Sequence, residues 1–107
     1  IFRFTYSPET IADGLRALSV SSRPLKYLKN LDEFHLVDEE SIRYWTAWLI
    51  QMMKITCEPS AAISMAAAHS WLQHQSHNKV ILILITGGNI DPEFYQELST
   101  LDLFLSA

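Results

Sequence analysis

Residues 79–91, which read KVILILITGGNID, decide the fold that this sequence predicts. The run over residues 80–85 contains only valine, isoleucine and leucine. Continuous apolarity of this kind, rather than alternation, is typical of a strand that is covered on both faces, as in a parallel sheet. A TGGN turn follows at once at residues 86–89. We therefore expect an α/β fold in which the core strand, residues 79–85, ends in a glycine turn at its carboxyl end.

Three helices are predicted around this strand. Asp38 is a favourable cap for the first, and Glu39 and Glu40 follow in the turn where the helix dipole favours acidic side chains. Pro59 is expected to end that helix and to occupy the first turn of the second, which runs through SAAISMAAAHSWL. The third helix, over residues 91–105, begins with an Asp-Pro pair, again a cap followed by proline.

The first predicted helix carries more apolar surface than a surface helix needs. One face holds Ile42, Trp45, Leu49, Met52 and Met53, and Tyr44 and Trp48 widen it. We expect this helix to be packed on more than one side. Trp45, Trp48 and Trp71 are interpreted as core or subunit-interface residues.

The first third of the chain is less regular. The Ser-Pro pair at residues 7–8 offers a helix start, and Pro24 interrupts the chain before a short helical stripe over residues 25–31. Phe34 to Val37 is predicted as a short strand. The predicted order is helix, strand, helix, helix, strand, loop, helix.

Composition excludes several classes of partner. The net charge of −4 and a pI of about 5.4 argue against binding to nucleic acid or to an anionic membrane. The apolar run at residues 80–85 is too short to span a bilayer. Cys57 is the single cysteine, which fits a reducing, cytoplasmic setting. His69, His74 and His77 have no carboxylate or cysteine to complete a metal site, so no metal is expected.

The TGGN turn has two interpretations from its residues alone. In open α/β sheets, ligands bind outside the carboxyl ends of strands, and paired glycines let the backbone approach a planar ligand. The Thr86 hydroxyl before them can donate to or accept from a ring atom. The same turn equally suits a tight exit from a strand with no ligand.

Three separate segments together support the interpretation that the TGGN turn contacts a ligand. TIADG at residues 10–14, EPSAA at 58–62 and ILITGGNID at 83–91 follow one another in this order. In that order they resemble the C-terminal part of the fold-type-II pyridoxal-phosphate enzymes, specifically the threonine and serine dehydratases. The resemblance implies an α/β fold with a short, mostly parallel sheet packed by helices. It covers roughly the whole chain, residues 1–107, as one segment of a catalytic domain.

The resemblance also implies which residues contact the cofactor. Thr86 stands where the family has a serine hydroxyl that hydrogen-bonds the pyridine nitrogen, and Glu58 stands for a glutamate close to the cofactor. Gly14 matches a glycine whose backbone lines the substrate side. The full set implied to bind pyridoxal phosphate is Thr86, Gly87, Gly88, Asn89, Glu58 and Gly14.

The implied reaction follows from the hydroxyl at the ring nitrogen. A neutral hydroxyl makes the ring a weaker electron sink than a carboxylate would, so elimination of a β-hydroxyl group competes well. This suits deamination of serine or threonine to a 2-oxo acid and ammonia. Serine racemase, threonine synthase and cysteine synthase of the same fold type remain alternatives. A non-catalytic α/β interaction domain is the alternative from another class.

Two departures from the family pattern limit what this chain is expected to do. Ala61 replaces the usual glycine of the EPSAA segment. The Schiff-base lysine of the family lies in an S-F-K-x-R-G-like motif, and none of the four lysines matches it: Lys26, Lys29, Lys54 and Lys79. We expect that lysine upstream, on an N-terminal half of the same enzyme. The chain alone is expected to be inactive, and the whole enzyme to be a homo-oligomer that binds a small amino-acid substrate.

Overall fold

Local sequence signals determine where the helices begin, and a computed structural model of the chain describes the result for residues 2–104. The four helices are α1 (Ser22–Leu28), α2 (Glu39–Met53), α3 (Pro59–Leu72) and α4 (Pro92–Ser99). Two short strands, β1 (Phe2–Arg3) and β2 (Ser19–Val20), and a 3-10 turn at Asp13–Leu15 precede α1. Among the described residues the helices are as many as the sequence predicts, whereas the strands differ from the prediction.

The start of α2 is as predicted, whereas its end is not. The Asp38 carboxylate accepts a hydrogen bond from the Ser41 amide at 2.7 Å. This bond from the Ser41 backbone is the largest cause that lowers the pKa of Asp38 below its usual value. The helix ends where Lys54 adopts a left-handed conformation with φ of 57°, a common way to terminate a helix. The prediction that Pro59 ends this helix is wrong, because Pro59 only begins α3.

Helix α2 packs on two sides, as its sequence predicts. On one side Ala47 and Ile50 form a buried cluster with Leu98 of α4 and with Leu103. On another side Leu49 is buried against α3 and the segment before it, in a cluster with Cys57, Ala61 and Ala62. Trp48 is partly buried and packs against both clusters.

The apolar face predicted for α2 is not buried at the C-terminal end of the helix. Ile42 and Leu49 are buried, but Met52 is 44% exposed and Met53 is 57% exposed.

Helix α4 begins as predicted and ends earlier. The Asp91 carboxylate accepts from the Phe94 amide at 3.1 Å, and Pro92 is the first helical residue. The helix ends at Ser99 rather than at residue 105, which lies outside the described residues. Leu103 beyond the helix is buried in the cluster with Leu98, so this stretch packs without being helical.

No parallel sheet is described among residues 2–104, so the short, mostly parallel sheet that the sequence predicts is not shown there. The sheet that is described is one antiparallel pair, in which Phe2 lies opposite Val20 and Arg3 opposite Ser19. Residues 79–85 pair with no described strand. Because a strand ladder needs hydrogen bonds from a second strand, this segment is not part of a sheet within the described residues. Phe34 to Val37 also forms no strand, and three of its four residues are exposed.

The N-terminal third differs from its prediction in two further ways. Residues 7–8 start no helix and lie in the loop between β1 and β2. Pro24 does not interrupt the chain but occupies the first turn of α1, where a proline costs no hydrogen bond. Leu31, the last residue of the predicted stripe, lies beyond the end of α1 and is exposed.

The described residues have neither the features of a membrane span nor those of a metal site. No helix within residues 2–104 combines the length and the apolarity needed to cross a bilayer. Over the same part of the chain, no three side chains of histidine, cysteine, aspartate or glutamate come together as a metal site would require. The expectation that no metal is bound stays a prediction.

The apolar side chains of residues 80–85 alternate between two rows, one that packs against the protein and one that faces outward. Ile81, Ile83 and Ile85 are half-buried, whereas a second row made of Val80, Leu82 and Leu84 is exposed. An exposed row of large apolar side chains on an unpaired segment is typical of a surface that is buried against another protein surface.

We expect the chain to bind the apolar dye anilinonaphthalene sulfonate at this outward row. Leu82→Lys should reduce the fluorescence gain about twofold or more, because it places a charge in the middle of the apolar patch. Leu15→Lys, at another exposed leucine, should leave the gain nearly unchanged. Equal responses of the two variants would contradict a binding surface at residues 80–84.

Candidate functional site

The start of α3 is held against the TGGN turn by a backbone hydrogen bond. Glu58 is the residue before the helix, in an extended conformation, and its amide donates to the Gly87 carbonyl at 3.2 Å. The Glu58 side chain makes no cap bond to its own helix. Instead its carboxylate lies against Gly87, where an added Cβ would collide with Oε1. Gly87 is thus a close-approach position created by Glu58.

Gly88 makes a second close approach to the segment that leads into α3. A Cβ at Gly88 would lie 2.7 Å from the Thr56 carbonyl oxygen and 3.4 Å from its carbonyl carbon. No described glycine has a positive φ, so it is space and not backbone conformation that restricts this position. The two glycines therefore let residues 86–89 lie directly on residues 56–58.

The TIADG segment reaches the same place from the N-terminal loop. The Gly14 amide donates to the Ser60 hydroxyl oxygen at 2.9 Å, and a Cβ at Gly14 would lie 2.9 Å from that oxygen. Ser60 is in the first turn of α3, two residues after Glu58. The loop therefore borders the Glu58 end of this helix.

The three segments that the sequence analysis singled out thus meet at one point, the start of α3. Residues 10–14 touch it at Ser60, and residues 86–89 touch it at Glu58 and at the residues just before. The sequence predicts this only through the resemblance, because the segments lie far apart in the chain.

Thr86 is exposed at this point rather than packed into the interior. Its hydroxyl makes no hydrogen bond with any residue of the described range 2–104. The Asn89 side chain, on the far side of the glycine pair, is also exposed and makes no hydrogen bond within that range. Both polar side chains are therefore available to an outside group.

Cys57 precedes Glu58 but offers no nucleophile. It is buried, and its thiol donates to the Glu58 carbonyl at 3.3 Å. Burial, followed by the negative charge of Glu58, raises the pKa of Cys57 to about 11. Because the thiolate is the reactive form, the side chain stays an inert thiol at neutral pH.

Two serines of α3 contribute contacts that the sequence analysis missed. Ser60 holds Gly14, and the Ser64 hydroxyl lies within hydrogen-bond distance of the Leu84 carbonyl, 2.9 Å, as well as of the Ala61 carbonyl in its own helix. Ser60 and Ser64 are four residues apart and so lie on one helix face. That spacing was the available signal for a polar face that contacts Gly14 through Ser60 and Leu84 through Ser64.

A separate cavity of about 530 Å³ lies elsewhere, beside the N-terminal half of α2. Trp45 lines it, and its ring lies 4.8 Å from that of His69, centroid to centroid. His69 follows Glu58 by eleven positions on α3, which is roughly 16 Å along the helix axis. The remaining lining residues are Glu40, Ser41, Arg43, Tyr44 and Leu101. This cavity is therefore distinct from the meeting point at the start of α3.

Comparison with known proteins gives a family match over most of the chain. The family model described as pyridoxal-phosphate dependent enzyme matches residues 3–87. The serine racemase of Bos taurus is 35% identical over 91 residues, which is 80% of this chain and 26% of that protein. The serine racemase of Schizosaccharomyces pombe is 33% identical over 90 residues, 83% of this chain and 28% of that protein.

A relative with a different activity in its name is also similar. The L-threo-3-hydroxyaspartate ammonia-lyase of a Pseudomonas species is 28% identical over 93 residues, 86% of this chain and 29% of that protein. The chain thus spans less than a third of the length of the curated relatives it matches.

Proposed function

Because this chain belongs to the family of pyridoxal-phosphate-dependent enzymes, we propose that it forms one wall of the cofactor and substrate site of a serine racemase. The observation that carries the proposal is the convergence of three segments at the start of α3, beside an exposed Thr86. A non-catalytic interaction domain would have no need for an accessible hydroxyl at that point.

The residues present fit the cofactor of the family. The Thr86 hydroxyl has no described partner and can hydrogen-bond a ring nitrogen. The Cβ positions of Gly87 and Gly88 face Glu58 and Thr56, so these glycines let residues 56–58 lie close to Thr86. When bound, pyridoxal phosphate supplies the electron sink that makes the α-proton of an amino acid removable. In this proposal Thr86 orients the ring, and Gly87, Gly88 and Asn89 form the floor beside it.

Glu58 has a defined position in the proposed site. Its amide is bonded to the Gly87 carbonyl, which fixes its backbone beside the turn, and its carboxylate lies against Gly87. We assign to Glu58 a negative charge at the edge of the ring site, and to Gly14 a backbone position at the substrate side. The catalytic lysine is assigned to the remainder of the enzyme, since no lysine of this chain has the family motif.

Racemisation is preferred to the dehydration that the sequence analysis put first. Both reactions of serine begin with loss of the α-proton, and they differ in whether a proton returns to the opposite face or the β-hydroxyl group departs. The residues of this chain serve either outcome. The serine racemases among the similar proteins support racemisation as the outcome. They also support serine, rather than threonine, as the substrate.

An ammonia-lyase is the second candidate. It is favoured by the similarity to the hydroxyaspartate ammonia-lyase, and by the neutral hydroxyl at position 86, which suits loss of a β-hydroxyl group. Its products from serine would be pyruvate and ammonia. The cytoplasmic setting and the homo-oligomer stay parts of the proposal.

The test uses the complete enzyme that contains this chain, loaded with pyridoxal phosphate and supplied with L-serine in D2O. We expect D-serine by chiral chromatography, with deuterium at the α-carbon, formed faster than pyruvate. Pyruvate and ammonia with little D-serine would favour the lyase. If serine is neither inverted nor deaminated and gains no α-deuterium, the proposal is wrong.

A further inference from the structure

The loop between β1 and β2, residues 4–18, is closed by its own hydrogen bonds. The Ser7 hydroxyl donates to the Arg16 carbonyl at 3.1 Å, and the Arg16 Nε donates to the Pro8 carbonyl at 3.1 Å. These bonds tie the two arms of the loop together near its base. They leave the position of its tip, residues 10–14, to be determined by contacts with the helices.

Two side chains from different helices hold this tip. The Glu39 Oε2 accepts a hydrogen bond from the Ile11 amide at 2.8 Å, across 28 residues of sequence. The Ser60 hydroxyl oxygen accepts from the Gly14 amide at 2.9 Å, across 46 residues. Each belongs to the first turn of its helix, α2 for Glu39 and α3 for Ser60. The tip is therefore bound at both ends, and Ala12 between them is fully buried.

Glu39 differs from its neighbour Glu40 in its hydrogen bond to the loop. Glu39 and Glu40 are both exposed acids in the first turn of α2, so the helix dipole favours them alike. Only the Glu39 carboxylate accepts a bond from the loop backbone. The Glu40 side chain makes no hydrogen bond within residues 2–104 and lines the cavity beside Trp45. The bond to Ile11 is thus a specific property of position 39.

We propose that Glu39 is a positioning residue, which fixes the loop tip as the substrate-side border of the site through its bond to the Ile11 amide. This rests on the proposed function, because only there does the tip border a substrate. Glu39 touches no reacting atom in this proposal. It acts through residues 11–14, and Ser60 provides the second attachment beside Glu58.

The first arm of the test measures the attachment itself and does not depend on any activity. We expect Glu39→Ala to speed hydrogen exchange of the Ile11 amide by about tenfold in the whole chain, since one charge-assisted bond is lost. Glu39→Gln keeps an acceptor oxygen and should restore most of the protection. Glu40→Ala removes an equivalent first-turn charge and should leave this amide unchanged. Equal exchange of Ile11 in all four proteins would overturn the proposal.

The second arm measures the consequence in the complete enzyme. We expect Glu39→Ala to raise KM for serine about fivefold while kcat changes by less than about twofold, because the tip borders the substrate and not the reacting atoms. Glu40→Ala should change neither constant. Faster exchange at Ile11 with an unaltered KM would overturn the link to the substrate. The proposed function is judged separately, by whether the unsubstituted enzyme acts on serine.

Discussion

Thr86→Val is expected to weaken the affinity of the enzyme for pyridoxal phosphate by about tenfold, the loss that accompanies removal of one hydrogen bond of about 1.4 kcal/mol. Valine matches threonine in shape, so the variant removes the hydroxyl and little else. Because this hydroxyl has no partner among residues 2–104, its loss should leave the folded chain as stable as before. The measurement is a titration of cofactor-free enzyme followed by cofactor absorbance, together with a urea unfolding curve.

Two further variants separate the hydroxyl from other effects. Thr86→Ser keeps the hydroxyl and should retain the affinity, as the serine of the related family pattern implies. Thr100→Val removes an exposed hydroxyl that bonds only to carbonyls of α4, so it should leave the affinity unchanged. If Thr86→Val binds the cofactor as tightly as the unsubstituted enzyme, Thr86 does not contact the ring.

The starts of α2, α3 and α4 could be predicted because local residues determine them. A carboxylate at Asp38 or Asp91 satisfies the first free amides of a helix wherever the helix packs afterwards. Pro59 likewise needs only its own restricted φ to suit a first turn. The ends were harder to predict, since α2 stops at a left-handed Lys54 and lysine carries no signal for that conformation.

Whether a sheet forms could not be predicted from the same kind of evidence. The apolar run 80–85 has the composition of a covered strand, but a strand forms only when another strand supplies its hydrogen bonds. Within residues 2–104 no segment does so, and one row of its side chains remains exposed. Composition therefore indicates what a segment prefers, and not whether its partner is present in the same chain.

The candidate site was predicted in part. The sequence singled out all three segments, but it could not show that Gly87 faces Glu58, that Gly88 faces Thr56 or that Gly14 faces Ser60. Contacts across such separations depend on how α3 lies against the loops. They explain why small residues occupy three separate places in the chain, and they show contacts of Ser60 and Glu39 with the loop that the local sequence does not reveal.

Gly88→Ala is expected to destabilise the folded chain by about 1–3 kcal/mol, the range for inserting a methyl group into filled space. Its Cβ would lie 2.7 Å from the Thr56 carbonyl oxygen, and a backbone atom cannot rotate away as a side chain can. Since φ at this glycine is not positive, alanine is not strained by its conformation. Alanine also lowers the conformational entropy of the unfolded chain, which by itself would stabilise the variant by about 0.4–1 kcal/mol. The close contact with Thr56 has to outweigh that gain.

Gly87→Ala is the matched control, because the two glycines are adjacent and differ in what they face. At Gly87 the new methyl group would meet the Glu58 carboxylate, the mobile end of a side chain that can swing aside. We therefore expect Gly87→Ala to cost at most about 0.5 kcal/mol, the size of an ordinary surface change, while it displaces Glu58. The free energies of unfolding in urea decide between the two. A loss for Gly88→Ala as small as the one expected for Gly87→Ala would show that Thr56 yields as readily as a side chain, and that residues 86–89 do not lie tightly on the segment leading into α3.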